Sequence, residues 1–170
     1  MAEAAIQASC EVVRLWPPAE PAVFQDAVSR LPTAAAIVAC NSAEGPRGLL
    51  ATSLAAVSTT PPRLLFCVDK AAAAHMALIA AESVAISLLG ADQEDVADAL
   101  RADSSALDAP NWRIDAAGPE LRGAPAVFTG PVRCRIDAGA ATIFVLDVSN
   151  ARSHDGARLI HLDGELRTAG

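Results

Sequence analysis

The sequence predicts a mainly β domain, a small antiparallel barrel with helices inserted between its strands. Three observations support this class. Short apolar segments recur along the chain and are separated by turn residues such as Gly, Pro and Asn. Residues 132–137 alternate strictly between apolar and polar side chains, which is typical of a strand. Helix signals are confined to three segments, 24–31, 71–80 and 92–101, so helices are expected as insertions.

Composition indicates one globular domain and argues against some partners. The 170 residues are 52% hydrophobic, which is enough for one domain with a substantial core. The formal net charge of −7 and the absence of a run of Lys and Arg argue against nucleic acid as a partner. We expect residues 1–22 to form an N-terminal arm that ends in prolines and residues 23–170 to form the domain.

Cysteine usage and the N-terminal sequence favour a reducing cytoplasm. The cysteines form no C-x-x-C pair, and Cys40, Cys67 and Cys134 lie in apolar runs, so buried thiols are expected and a zinc site is not. The N-terminus lacks a basic region followed by an apolar core, so we expect no secretory signal. The most apolar window, 71–91, contains His75 and Glu82 and changes from Ala-rich to β-branched, so a helix followed by a strand is favoured over a membrane span.

The first half of the domain should begin with a helix and continue as strands. The stripe Phe24, Ala27, Val28 and Leu31 predicts an amphipathic helix that Pro32 ends. Strands are expected at 34–40, 47–57 and 63–68.

The middle of the domain should combine two helices with one strand. Asp69 is the expected N-cap of a helix over 71–80, and a strand is expected at 84–89. Asp92 and Asp95 resemble a capping box for a helix that ends at Arg101. Residues 102–121 are expected to form a loop.

The last part should consist of paired strands. In segment 132–137 one face takes Val132, Cys134 and Ile136, and the other takes Arg133, Arg135 and Asp137. Segment 141–148 is the expected antiparallel partner, and segments 157–162 and 164–168 form a further pair.

Hydroxyl side chains gather in the segment 45–70. Thr52 and Ser53 lie on one expected strand, a second cluster follows at 58–60, and Lys70 ends the next strand. Two strands that bring hydroxyls and a cation together would suit a phosphate-bearing ligand. The alternative is that these residues fill turns and strand ends for structural reasons.

The order of these segments resembles the flavin reductase family, the FMN-binding split-barrel proteins. The matching segments are 24–40, 45–70, 83–100 and 142–156. The resemblance implies a six-stranded antiparallel Greek-key split β-barrel and a homodimer with FMN near the subunit interface. It also implies an FMN-dependent NAD(P)H:flavin oxidoreductase, an enzyme that takes a hydride from NADH or NADPH and supplies reduced flavin to a partner monooxygenase. FAD could replace FMN, and free flavin would be a substrate.

The resemblance also assigns cofactor-binding positions. The residues that match are Pro32, Thr33, Ala34, Thr52, Ser53, Leu54, Ser58, Lys70 and His75. In the family the loop at 32–34 lies along the isoalloxazine ring, and the basic residue at 70 suits the phosphate. No catalytic side chain is assigned, because the hydride chemistry belongs to the cofactor.

Two segments depart from the family pattern. Ala71–Ala74 stand where the family often has Ser and Thr, and Gly139–Ala141 stand where it commonly has Gly-Asp-His. The chain has no Tyr and offers His161 in the C-terminal region where the family tends to carry one. The departures keep two alternatives open: a flavin- or small-ligand-binding barrel that has lost reductase activity, and a dimeric interaction module.

Overall fold

The computed structural model describes residues 17–107 and 110–170. The predicted arm, residues 1–22, lies outside the described residues as far as residue 16. The helices are α1 Pro21–Ser29, α2 His75–Ala80 and α3 Glu94–Ala102. The strands are β1 Thr33–Ala34, β2 Ala36–Cys40, β3 Arg47–Ala51, β4 Ala55–Thr59, β5 Pro62–Asp69, β6 Ser83–Leu88, β7 Trp112–Asp115, β8 Gly118–Leu121, β9 Ala126–Ala138, β10 Ala141–Asp147, β11 Asn150–Ser153, β12 Arg158–Leu162 and β13 Glu165–Ala169. None of the described helices is long and apolar enough to cross a membrane.

Most strands belong to one eight-stranded antiparallel sheet that curls back on itself. Its order is β3-β2-β6-β9-β10-β5-β4, and β11 pairs with β9. The two ends of this path, β3 and β4, are consecutive in the chain and separated only by residues 52–54. Because β3 pairs with β2 and β4 pairs with β5, the segment 47–59 joins both edges of the sheet. The predicted mainly β fold with inserted helices is confirmed.

The expected single strand at 47–57 is wrong in one respect, because the backbone leaves the ladder at 52–54. Ser53 explains the break. Its Oγ accepts a hydrogen bond from the Cys67 amide at 2.9 Å and donates one to the Cys67 carbonyl at 3.1 Å. A side chain therefore replaces the backbone pairing at the point where the segment changes partner.

The main core fills the inside of the curled sheet. Phe66 and Phe144 stack at its centre with ring centroids 5.0 Å apart, and Val38, Ile86 and Leu146 are fully buried around them. Burial of one such side chain contributes about 1.5–3 kcal/mol. This core, closed at one end by Ala74 and Leu78, holds the strands in register.

The predicted buried thiols are only partly observed. Cys40 is fully buried, and desolvation raises the pKa of its thiol to about 11 against the opposing effect of Arg47. Cys67 and Cys134 are partly exposed, because their strands turn these side chains to the outer face of the sheet.

The outer position of Cys134 also corrects the predicted faces of segment 132–137. Arg135 lies opposite the fully buried Phe144 and therefore points inward, with its guanidinium 5.9 Å from the Phe144 ring centre and a hydrogen bond to the Ala81 carbonyl. Ile136 faces outward and is 41% exposed. A register shift between Val145 and Leu146 causes the inversion, so strict alternation alone could not locate the core side.

Residues 102–121 are not a loop throughout, as expected, but contain the hairpin β7–β8. Gly118 allows this hairpin to lie against β2: its φ is +145°, and an added Cβ would stand 2.6 Å from the Ala39 carbonyl oxygen. Trp112 and Leu121 of the hairpin join Leu100 of α3 in a second buried cluster on the other side of β2.

Both predicted N-caps are wrong. The turn after β5 uses Asp69 to accept from the Ala71 amide at 2.8 Å, so α2 begins only at His75. The N-cap of α3 is Gln93, whose Oε1 accepts from the Gly90 amide at 2.9 Å, so the expected capping box at Asp92 and Asp95 does not form.

The predicted amphipathic helix exists as α1, but its apolar stripe is not packed into a core. None of its residues is buried, and Phe24 is 61% exposed. The backbone of α1 is connected to the rest of the chain through the Asp163 amide, which donates to the Ser29 carbonyl at 2.8 Å.

A buried carboxylate connects the β7–β8 hairpin to β11. Glu120 is 2% exposed and accepts from Arg113 at 2.9 Å and from Arg152 on β11. The Glu120 carboxylate raises the pKa of Arg152. Because two guanidinium groups surround one carboxylate, the ion cluster is fully compensated despite its burial.

Asp147 ties three adjacent strands together at the end of β10. Its carboxylate accepts from Arg63 of β5 at 2.7 Å and from Arg133 of β9 at 3.2 Å. These bonds, chiefly the one from Arg63, lower the pKa of Asp147 below its usual range.

We predict that Asp147→Asn reduces the acid sensitivity of folding. A carboxylate with a lowered folded-state pKa stabilises the fold above its unfolded pKa of about 3.9, and this stability is lost as the pH falls through the folded-state value. The free energy of unfolding should therefore fall less between about pH 6 and pH 3 in the variant than in the wild type. Urea denaturation across this range measures it. The control is Asp155→Asn at an exposed site; parallel curves for wild type and Asp147→Asn would contradict the prediction.

Candidate functional site

A cavity of ≈ 440 Å³ lies between β3, the turn before α2, the C-terminal end of α3 and β12. Its lining residues are Gly48, Leu49, Leu50, Thr52, Ala72, Ala73, Ala74, Leu100, Arg101, Ala102, Ser104 and His161. The cavity therefore brings together segments that are distant in sequence: the hydroxyl-rich region, the alanine segment and the C-terminal strand pair.

The wall formed by β3 and the end of α3 depends on close backbone packing. The Gly48 amide donates to the Ser104 carbonyl at 2.8 Å, and an added Cβ at Gly48 would stand 3.3 Å from Leu107 Cδ2. Asp103 closes the turn by accepting from the amide and hydroxyl of Ser105 at 2.9 Å and 2.7 Å, and these bonds lower the pKa of Asp103. Glycine at 48 thus lets the segment after α3 reach β3.

The opposite wall is the turn 70–74, which presents methyl groups to the cavity. The Ala72 amide donates to the Asp69 carbonyl at 3.0 Å, and the His75 amide donates to the Ala72 carbonyl at 2.9 Å. His75 itself is buried, with Nε2 3.0 Å from Thr142 Oγ1 on β10. His75 therefore anchors the turn and is not among the residues that line the cavity.

Some predicted site residues lie at this cavity. Thr52 lines it directly, and so does His161. Thr33 is paired with His161 and Ala34 with Ile160 across the β1–β12 ladder, which places the loop 32–34 beside the cavity. The Thr33 hydroxyl oxygen is buried and has no hydrogen-bond partner among the described residues.

Other predicted residues are engaged elsewhere in the fold. Ser53 binds Cys67, and Leu54 packs against the main core. The Ser58 hydroxyl donates to the Pro61 carbonyl in the exposed turn between β4 and β5. Their contact with a flavin stays a prediction.

Lys70 lies at the end of β5 and forms an ion pair there. Its Nζ is 2.9 Å from Asp137 Oδ1, and the Lys70 amide donates to the Ala140 carbonyl at 2.9 Å. The hydrogen bonds from Lys70 and from the Gly139 amide lower the pKa of Asp137. Lys70 thus fixes the turn 138–141, where this chain lacks the family's Gly-Asp-His.

The sequence analysis missed Arg101 and Ser104 as cavity residues. Arg101 was interpreted only as the end of a helix, and residues 102–121 only as a loop. No local signal connects the end of α3 with β3, because the connection depends on the long-range Gly48–Ser104 hydrogen bond. In the part of the chain that the structure describes, no group of three or more His, Cys, Asp or Glu side chains could hold a metal ion.

Comparison with known proteins identifies the family. The family model described as "Flavin reductase like domain" matches residues 28–170. The chain is 32% identical over 142 residues to the FMN reductase (NADH) SmoA of Agrobacterium fabrum, covering 83% of this chain and 82% of SmoA. It is 34% identical over 128 residues to an NADH-dependent FAD reductase of Streptomyces globisporus, covering 71% of this chain and 69% of that protein. The chain belongs to the flavin reductase family, as the resemblance predicted.

Solved structures show the same fold. BorF, the flavin reductase component of a bacterial two-component tryptophan halogenase, matches with a TM-score of 0.80 and 30% identity over 88% of this chain and 98% of BorF. The NADH:FAD oxidoreductase SgcE6 of Streptomyces globisporus matches with a TM-score of 0.83 and 27% identity over 94% of this chain and 98% of SgcE6.

We predict that Ser53→Ala destabilises the protein by about 1–3 kcal/mol even without a ligand, because the Cys67 amide and carbonyl lose their partner. Urea denaturation of the apoprotein measures the change. Ser58→Ala, which removes a hydroxyl bond in an exposed turn, should cost less than about 1 kcal/mol and serves as the control. Equal effects of the two substitutions would show that Ser53 has no special role in closing the sheet.

Proposed function

We propose that this protein is an FMN-dependent NAD(P)H:flavin oxidoreductase that supplies reduced flavin to a partner monooxygenase or related two-component enzyme. The observation that carries the proposal is the cavity itself, which is built from the family's cofactor segments: Thr52, the turn 72–74 and, beside it, the loop 32–34. The names of the relatives, an FMN reductase (NADH) and an NADH-dependent FAD reductase, favour NADH as the hydride donor and allow FAD as an alternative flavin.

The residues present fit FMN. A volume of ≈ 440 Å³ lies within the range of about 300–1,000 Å³ that small-molecule sites occupy. The Thr33 hydroxyl next to the cavity is buried without a partner among the described residues, a state that costs free energy unless a ligand satisfies it. The wall at 72–74 is apolar, so it offers packing but no side-chain donors to the cofactor.

The chain's own residues would hold and orient the flavin. Bound FMN supplies the hydride-accepting ring, and the protein supplies position and electrostatics. The loop Pro32, Thr33 and Ala34 would lie along the ring, with the Ala34 methyl where the family has Gly. Thr52 would donate to or accept from the ring edge, while Ser53, Leu54 and Ser58 hold the strand that carries it. Lys70 and His75 would fix the turn that forms the opposite wall.

A second candidate function is flavin or small-ligand binding without reductase activity. The observation that favours it is the absence of side-chain donors at Ala71–Ala74 and at Gly139–Ala141. The latter segment stands where the family's histidine is placed near the flavin and the nicotinamide.

One experiment separates these functions. Purified protein is titrated with FMN and with FAD, and NADH oxidation is followed by absorbance with excess flavin. We expect saturable flavin binding and flavin-dependent loss of NADH; NADPH serves as the comparison for donor preference. Binding without NADH oxidation selects the second candidate, and neither binding nor oxidation at high protein concentration overturns both.

The proposal includes a homodimer, which the outer face of the sheet supports. On β5, β10 and β9 the cross-strand neighbours that share this face are all apolar: Leu65, Cys67, Ile143, Val145, Cys134 and Ile136. All of them are partly or largely exposed in the single chain. An apolar patch of this kind on the outside of a β-sheet marks an interaction surface, and a second copy of the chain is the occupant that the family resemblance implies.

We predict that Ile136→Asp converts a dimer into a monomer, because a carboxylate at the centre of an apolar interface is costly to desolvate. Light scattering coupled to size-exclusion chromatography measures the mass. Ile114→Asp is the matched control: Ile114 is 61% exposed on the β7–β8 hairpin and should leave the dimer intact. A monomeric wild type, or a dimeric Ile136→Asp variant, contradicts the assignment of this face.

The finer description of the fold also belongs to this proposal. If β3 and β4 are counted as one bent strand and β11 is left aside, the closed sheet has six strands in the order expected of a Greek-key split barrel. We further propose that the protein works in the cytoplasm, where NADH is available and thiols stay reduced.

A further inference from the structure

We propose that Arg101 binds the phosphate of the flavin and takes over the role of the hydroxyls that this chain has exchanged for Ala71–Ala74. This inference rests on the proposed function, because it assigns a residue to the same cavity. It names a specificity determinant that distinguishes phosphorylated flavins from riboflavin.

The cavity has one strongly polar wall, and Arg101 is on it. The turn 72–74 contributes methyl groups, whereas the end of α3 contributes Arg101, with Ser104 close by. Arg101 is the one Lys or Arg side chain among the described residues that line this cavity. A phosphate bound here would be opposite a wall without side-chain donors, so its charge would be met from the α3 side.

Arg101 has free donor capacity. Its Nη1 is 2.6 Å from Asp98 Oδ1, and both side chains are substantially exposed, at 47% and 65%. An exposed i,i+3 ion pair of this kind contributes little to stability and is readily rearranged. A guanidinium has five N–H donors in a planar fork that matches a phosphate, so a bidentate contact can form beside or in place of the Asp98 contact.

Lys70, the residue that the family resemblance assigned to the phosphate, is in a different situation. Its ammonium is 2.9 Å from Asp137, where it fixes the turn 138–141, and it is not among the residues that line the cavity. To reach a ligand in the cavity it would have to leave this partner. The arrangement therefore favours Arg101 over Lys70 as the phosphate contact.

Nearby carboxylates make the cavity strongly dependent on Arg101. Asp98 lies one turn before it on α3, and Asp103 follows in the turn where it accepts from Ser105. The C-terminal end of α3 adds partial negative charge. If Arg101 lost its charge, an anion in the cavity would face these groups without compensation.

The test compares dissociation constants for FMN and riboflavin, measured by quenching of flavin fluorescence, in wild type and Arg101→Gln. Loss of a charge-assisted bidentate contact should weaken FMN binding by about 10- to 100-fold. Riboflavin binding should be unchanged, so the preference for FMN disappears. Arg101→Lys should fall between the two, because Lys keeps the charge but not the fork.

Two control variants complete the design. Arg167→Gln removes one positive charge at a site where Arg167 pairs with Asp163 and Glu165, and it should leave both constants unchanged. Lys70→Gln should change the preference by less than about threefold. Circular dichroism and thermal unfolding check the fold of each variant.

The outcomes are distinct. A wild type that binds neither flavin overturns the proposed function and this inference with it. A wild type that prefers FMN, together with an Arg101→Gln variant that keeps the preference, overturns the role of Arg101 alone. Loss of the preference in Lys70→Gln but not in Arg101→Gln also overturns it and returns the phosphate to Lys70.

Discussion

The structure depends on the way that segment 47–59 closes the sheet. Its first half pairs with β2 and its second half with β5, and Ser53 makes the change of partner by binding the backbone of Cys67 on both sides. Without this closure β3 and β4 would be two open edges with unpaired backbone groups. Closure also encloses the aromatic pair Phe66 and Phe144, so one side chain supports both the pairing and the core.

The same closure positions the candidate site. It holds Thr52 at the bend, next to a turn that Asp69 and His75 fix, and the Gly48–Ser104 bond brings the end of α3 to the other side. The cavity therefore follows from the barrel and does not need its own polar network. This explains how the chain can carry alanines at 71–74 and still keep the shape of the site: the turn is held by backbone bonds and by Asp69, not by the exchanged hydroxyls.

The sequence was sufficient to predict the family, the mainly β fold and most strand positions, because apolar periodicity and turn residues are local signals. It could not locate the break at 52–54, the hairpin at 112–121 or the inward face of β9. These features depend on long-range contacts, namely Ser53 with Cys67, Gly118 with Ala39 and the register shift opposite Val145. Arg101 escaped notice for the same reason, since its place at the cavity is set by a hydrogen bond between β3 and Ser104.

A crystal structure of the protein with bound FMN tests the central claim most directly. The account predicts electron density for the flavin in the cavity between β3, the turn 72–74 and α3, with the ring against the loop 32–34 and the phosphate within hydrogen-bonding distance of the Arg101 guanidinium. A flavin bound on another surface of the protein, or a phosphate directed toward Lys70 and the turn 138–141, would contradict it.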